Sequence, residues 1–172
     1  MPRSAARTLA LLTVVVLAAA CASSPQNQGA ATPRLTRLPP EPNVPLPPGA
    51  PGPGEWATWS HEQKLAYMKS GFLDAERVIF ASWEPVRFKE LTCRNCHGPS
   101  VADGSFRMPN PQLAHLAPGA PGFQELAAHE PEVLMFMQQR LVPETARLLG
   151  VPAFDFEAHT GFSCYQCHVR QG

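Results

Sequence analysis

Cys93-Arg94-Asn95-Cys96-His97 and Cys164-Tyr165-Gln166-Cys167-His168 are two copies of one five-residue pattern, C-x-x-C-H. The chain has 172 residues and five Cys, and these motifs hold four of them; the fifth is Cys21. Before each motif stand an apolar residue and a hydroxyl, Leu91-Thr92 and Phe162-Ser163. Thr and Ser there are placed to N-cap a short helix carrying the thiols. C-x-x-C-H is the attachment signature of c-type haem. Two thiols three positions apart on one turn reach the two vinyl groups of one porphyrin, and the following His turns its imidazole to the iron.

Other chemistries fit less well. Zinc wants paired Cys motifs roughly 12 to 20 residues apart, whereas 67 residues separate Cys96 from Cys164. Disulfides form readily after export but leave the His after both pairs unexplained. A thioredoxin-like pair needs a βαβ setting, and no strand alternation is visible.

The surroundings of the motifs repeat as well. Tyr67-Met68 heads a helix-like stretch with Cys93 25 residues after the Met, and Phe136-Met137 heads another with Cys164 27 residues after. Two units of roughly 50 residues, each with one haem, is the simplest account. On these residues the chain resembles a small dihaem cytochrome c over 57–172. The resemblance implies thioethers at Cys93, Cys96, Cys164 and Cys167, with His97 and His168 as proximal iron ligands. The order helix, Met, then C-x-x-C-H resembles the repeat of the cytochrome subunit of photosynthetic reaction centres, although that subunit has four motifs and a shorter Met-to-Cys spacing. There the helical Met is the distal ligand, which implies Met68 and Met137 here.

Met on an apolar stripe is equally ordinary core filler. Met108, in a Pro-rich loop 11 residues after His97, is the alternative distal ligand, while Met135 faces elsewhere on its helix. His61, His115, His129 and His159 rank below the helical Met residues, because no repeat relates them. Arg94, Arg107, Arg140 and Arg170 are candidates for pairing with haem propionates.

Working outward, residues 60–82 predict an amphipathic helix with Leu65, Met68, Phe72, Ala75 and Ile79 on one face, opened by a Ser60/Gln63 capping box. A second helix opens at Pro131 and runs to Leu149, with Gly150 as its stop and Leu134, Met137, Leu141 and Leu148 on a face. Pro143 should kink or split it. Residues 98–123 read as a loop wrapping the first haem. The expected fold is all-α, with two haem-bearing helical units at about 57–100 and 124–172 and little or no sheet.

The chain ahead of Trp56 reads differently. Arg3, Arg7 and the apolar run Leu9–Ala20 form an export signal, and Leu17-Ala18-Ala19-Ala20-Cys21 resembles a bacterial lipoprotein processing site, which implies a lipid on Cys21. Residues 22–56 hold ten Pro and four Gly without apolar periodicity, and read as a disordered tether. The protein is then expected on the periplasmic side of a membrane, held by its lipid.

Lys+Arg at 14 balance Asp+Glu at 14, which argues against nucleic-acid binding. The expected function is electron transfer through two covalent c-type haems to redox protein partners. The alternative from another class is a haem enzyme or sensor with one open iron site, peroxidase-like; a non-haem zinc or disulfide lipoprotein is the more remote one.

Overall fold

The computed structural model describes residues 37–117 and 119–171. The export signal, Cys21 and the first part of the tether reading lie outside the described residues. The described residues are helical, and among them only isolated bridges form, with no strand. None of their helices is long and apolar enough to cross a membrane.

Two long helices organise the fold. The first begins at Ser60, whose hydroxyl accepts from the Gln63 amide while Gln63 Oε1 accepts from the Ser60 amide at 2.8 Å, the expected reciprocal cap. It is α-helical over His61–Tyr67, widens to a π turn over Met68–Phe72 and returns to α over Leu73–Trp83. The second has the same construction, with α-helix over Pro131–Phe136, a π turn over Met137–Leu141 and α-helix over Val142–Leu148. Both π turns thus open on the Met that the repeat singles out.

A π turn inserts one residue into the 3.6 periodicity, so the buried face changes register across it. Before each turn the buried residue is the one preceding the Met, Tyr67 or Phe136. After the turns, the buried faces carry Ala75, Glu76, Ile79, Phe80 and Trp83 in the first helix, and Thr145, Ala146 and Leu148 in the second. Met68 and Met137 are only half-buried, though Met137 also touches the core. The kink expected at Pro143 does not separate the second helix. The proline follows Val142, whose amide closes the π turn on the Met137 carbonyl. The return to i→i−4 bonding skips a carbonyl there in any case, so a missing donor is tolerated. Gly150, at φ 59°, takes the chain out of the helix as expected.

The two helices share one core. Ile79, Phe80, Trp83, Leu91, Phe136 and Leu148 form its centre; Trp83 stacks on Phe136 with centroids 4.3 Å apart, and Phe80 and Phe88 close around them. The Tyr67 hydroxyl donates to the Leu148 carbonyl at 2.8 Å, tying the start of one helix to the end of the other. Burying each such side chain contributes about 1.5–3 kcal/mol.

Two expectations need correction. The Pro-rich segment is not a free spacer over its described part. Val44 is buried in the core and Leu38 packs against it. The carbonyls of Pro39 and Pro40 accept from the Arg140 guanidinium, which is itself buried, and the Val44 carbonyl accepts from Arg147 at 2.8 Å. A Pro-rich extended chain has no internal hydrogen bonds, so its carbonyls are free to meet donors from elsewhere. Residues 38–54 are a strap laid over the helices. The loop read over 98–123 also differs: its last part begins a helix, Gly119–His129, and its middle pairs with the second motif rather than wrapping only the first.

Candidate functional site

The first motif is a single helical turn, Cys93–His97, entered from extended backbone at Thr92. The Asn95 side chain accepts from the Thr92 amide at 2.8 Å, and Arg77 Nε donates to the Leu91 carbonyl at 2.9 Å, fixing the approach to the first long helix. The second motif opens with a 3₁₀ turn, Cys164–Gln166. Gln166 Oε1 accepts from both the amide and the hydroxyl of Ser163, and the Ser163 hydroxyl accepts from the Tyr165 amide at 3.3 Å. In both motifs the residue just before the second Cys is a carboxamide that reaches back to the capping residue. The repeat therefore extends to the mechanism of the turn.

Asn110 joins the motifs. Its side chain fills the space beside Gly98, which follows His97 at φ 58° and where any Cβ would collide with it. Its amide donates to the Cys167 carbonyl at 2.9 Å. Beyond it Leu116 donates to Val169 at 3.0 Å and accepts from Gln171 at 2.9 Å. This ladder brings Ala114 alongside His168, whose Nδ1 lies 2.8 Å from the Ala114 carbonyl. A carbonyl only accepts, so Nδ1 carries a proton and Nε2 is the ring nitrogen left for a ligand. His97 meets the Phe106 ring edge-on at 5.5 Å, and its buried Nδ1 has no hydrogen-bond partner. Burial holds the His97 pKa below the usual histidine value, partly offset by the Phe106 backbone. A neutral imidazole is the ligand form.

The four motif thiols are free and half-buried. Burial first, then the nearby Glu76 carboxyl, pushes both Cys96 and Cys167 up to about 12, and burial raises Cys164 as well. These surroundings penalise thiolates, the form that zinc binds, and accommodate neutral sulfur such as a thioether. Among the described residues no group of three or more His, Cys, Asp or Glu converges to hold a metal ion.

The remaining candidates divide clearly. Met108 is half-buried in the loop between the motifs, and Met135 is half-buried ahead of the second π turn. His61, His115, His129 and His159 are exposed; His115 lies 3.3 Å from the Pro111 carbonyl. Arg140 is committed to the strap and Arg107 pairs with Asp103 at 3.2 Å, while the Arg170 guanidinium lies over the Tyr165 ring. An apolar cleft of about 300 Å³, lined by Trp56, Leu149, Val151, Pro152, Gly161, Phe162 and Gln166, opens beside the second motif.

Phe106, Asn110, Ala114 and above all Glu76 are absent from the sequence-based candidates. Glu76 is 3% exposed. Its Oε1 accepts from the Thr145 hydroxyl at 2.8 Å, and its Oε2 has no partner. Burial raises its pKa to about 7, with the Thr145 hydrogen bond opposing and Glu144 adding to the rise. Its neighbours Ala75 and Ile79 on the predicted stripe were the available signal.

No protein-family model matches the chain. No curated protein and no solved structure matches it either.

Proposed function

We propose that the chain is an electron-transfer protein, a small dihaem cytochrome c tethered to a membrane. One observation carries this reading: each motif sets a pair of free thiols just ahead of a His, and the Nδ1 contact of His168 with the Ala114 carbonyl leaves its Nε2 for a ligand. The burial that holds the His97 pKa down and the penalty on thiolates at Cys96 and Cys167 fit a covalently attached haem better than a zinc site. A haem held here supplies a one-electron Fe(III)/Fe(II) couple.

The residues around it do the rest. Cys93 with Cys96, and Cys164 with Cys167, fix the macrocycle edge as thioethers; His97 and His168 are the proximal ligands. The Ala114 carbonyl fixes the ring orientation of His168 and raises its basicity as a ligand. Asn110 ties the exit of the first motif to the second. Met68 and Met137 are the distal ligands, and a thioether at that position holds the potential above that of a His. Asn110 holds the two motifs side by side, so the two centres act as one electron-carrying unit. Cys21 carries the lipid, which keeps the unit on the periplasmic side, where it exchanges electrons with redox proteins.

The test is the intact mass of protein made in a periplasm with haem-attachment machinery. A mass two haems above the apoprotein supports the reading. One haem or none overturns it.

A further inference from the structure

The two π-turn helices meet through equivalent residues. Met68 and Met137 stand 69 residues apart, and so do Glu76 and Thr145. Thr145 therefore donates its hydroxyl to its own counterpart in the repeat. This contact lies where the two halves of the molecule meet. The Glu76 carboxyl is also the largest charge acting on Cys96 of the first motif and on Cys167 of the second. A buried acid thus lies near a thiol of each attachment site, with one oxygen bonded and the other unpartnered.

We propose that Glu76 is the protonation site that couples electron uptake by the haems to proton uptake from solvent. The inference rests on the dihaem reading above. When a one-electron donor reduces Fe(III) to Fe(II), the site gains one negative charge. A carboxylate held in a low-dielectric core beside that charge is destabilised and takes a proton from water on its free oxygen. One electron and one proton enter together, no bond to the haem is made, and the charge of the core is unchanged. Proton uptake makes reduction easier at low pH, so the potential falls as pH rises through the range where Glu76 titrates, around pH 7.

The groups facing Glu76 set that range. From the second helix, Thr145 favours the carboxylate and Glu144 opposes it. Arg147 is turned to Glu144 at 2.6 Å. From its own helix comes Tyr67, and from the two motifs Cys96 and Cys167, which carry no charge once they are thioethers. Among the described residues, Thr145 is the side chain that donates to the Glu76 carboxyl.

The experiment is a spectroelectrochemical titration of the haem-loaded full chain from pH 5 to 9. Wild-type midpoint potentials should fall with pH around neutrality, and Glu76→Gln should remove at least half of that slope. Thr145→Val deletes the bond that favours the carboxylate, so its pH window should move upward. Proton uptake by the wild type, read with an indicator dye during reduction at an electrode, should match the slope. This measurement and Thr145→Val decide the matter if Glu76→Gln fails to fold. A dihaem protein with the same slope in Glu76→Gln overturns the proposal, as does a window that Thr145→Val leaves in place or a wild type that takes up no proton. If mass spectrometry finds no haem, the dihaem reading falls and takes this inference with it.

Discussion

Met68 and Met137 each open a π turn at the same point of two long helices, and both turns close on the residue five positions later. The insertion moves the core-filling role to Tyr67 and Phe136, one residue earlier. Met68 is half-buried at the start of its widened turn, and Met137 is half-buried while packing against the core. π turns of this kind concentrate at functional sites. The copies differ in how the widened turn is covered: Gly71 admits the Pro47 ring, whereas Arg140 reaches the Pro39 and Pro40 carbonyls. The strap thus crosses both turns.

That role of the strap gives a first expectation. Removing residues 22–54 from the mature chain should lower the stability of the folded part by about 2–5 kcal/mol, from one buried Val and hydrogen bonds to charged Arg140 and Arg147. Denaturant unfolding of full-length and shortened protein measures the difference. A free tether would make none. Val44→Ala alone should account for roughly 1–2 kcal/mol of it.

Glu76 makes stability depend on pH with a definite sign. Its folded pKa, about 7, lies above the 4.5 of an ordinary carboxyl, so the folded state binds the proton more tightly than the unfolded state. The stability that the protonated acid provides is complete below pH 4.5 and is lost as pH rises through about 7. The full span corresponds to about 3 kcal/mol. Glu76→Gln lacks this term, so its stability relative to wild type should improve between pH 5 and pH 8. Unfolding curves at the two pH values check this, and a gap that does not change with pH would contradict it.

The lipid anchor is tested by fractionation. If Cys21 carries the proposed lipid, Cys21→Ser should move the protein from the membrane to the soluble periplasmic fraction. A wild type already soluble there refutes lipidation.

The motifs, their capping residues and the two long helices were legible because each rests on local rules: reciprocal Ser60/Gln63 bonding, Pro131 in a first turn, Gly150 at positive φ. What was not legible depends on contacts between distant residues. Periodicity placed Met68 on the core stripe because a π turn leaves no mark in a 3.6 pattern. Ten prolines suggested a tether because proline content measures the lack of internal hydrogen bonds, while Arg140 lies 100 residues away and supplies the donor. Ala114 is invisible as a partner of His168, because the contact uses a backbone carbonyl and any residue offers one.

The distal ligands allow the sharpest test. Met137→His should lower the potential of one haem and leave the other nearly unchanged, and Met68→His should do the converse, since imidazole stabilises oxidised iron relative to a thioether. If, as proposed, each Met serves one of two irons, each substitution should also remove about half of the near-infrared Met-to-iron absorption of the oxidised protein. Met137 carries the greater structural risk, because it also touches the core. A parallel Met137→Leu variant separates loss of packing from loss of ligation: it should keep the fold and still lose its share of the band. Met108 is the control, half-buried in the loop between the motifs. If the band survives both helical substitutions and falls with Met108→His, the loop supplies a ligand. The matched π turns would then serve only to let the strap cross the helices.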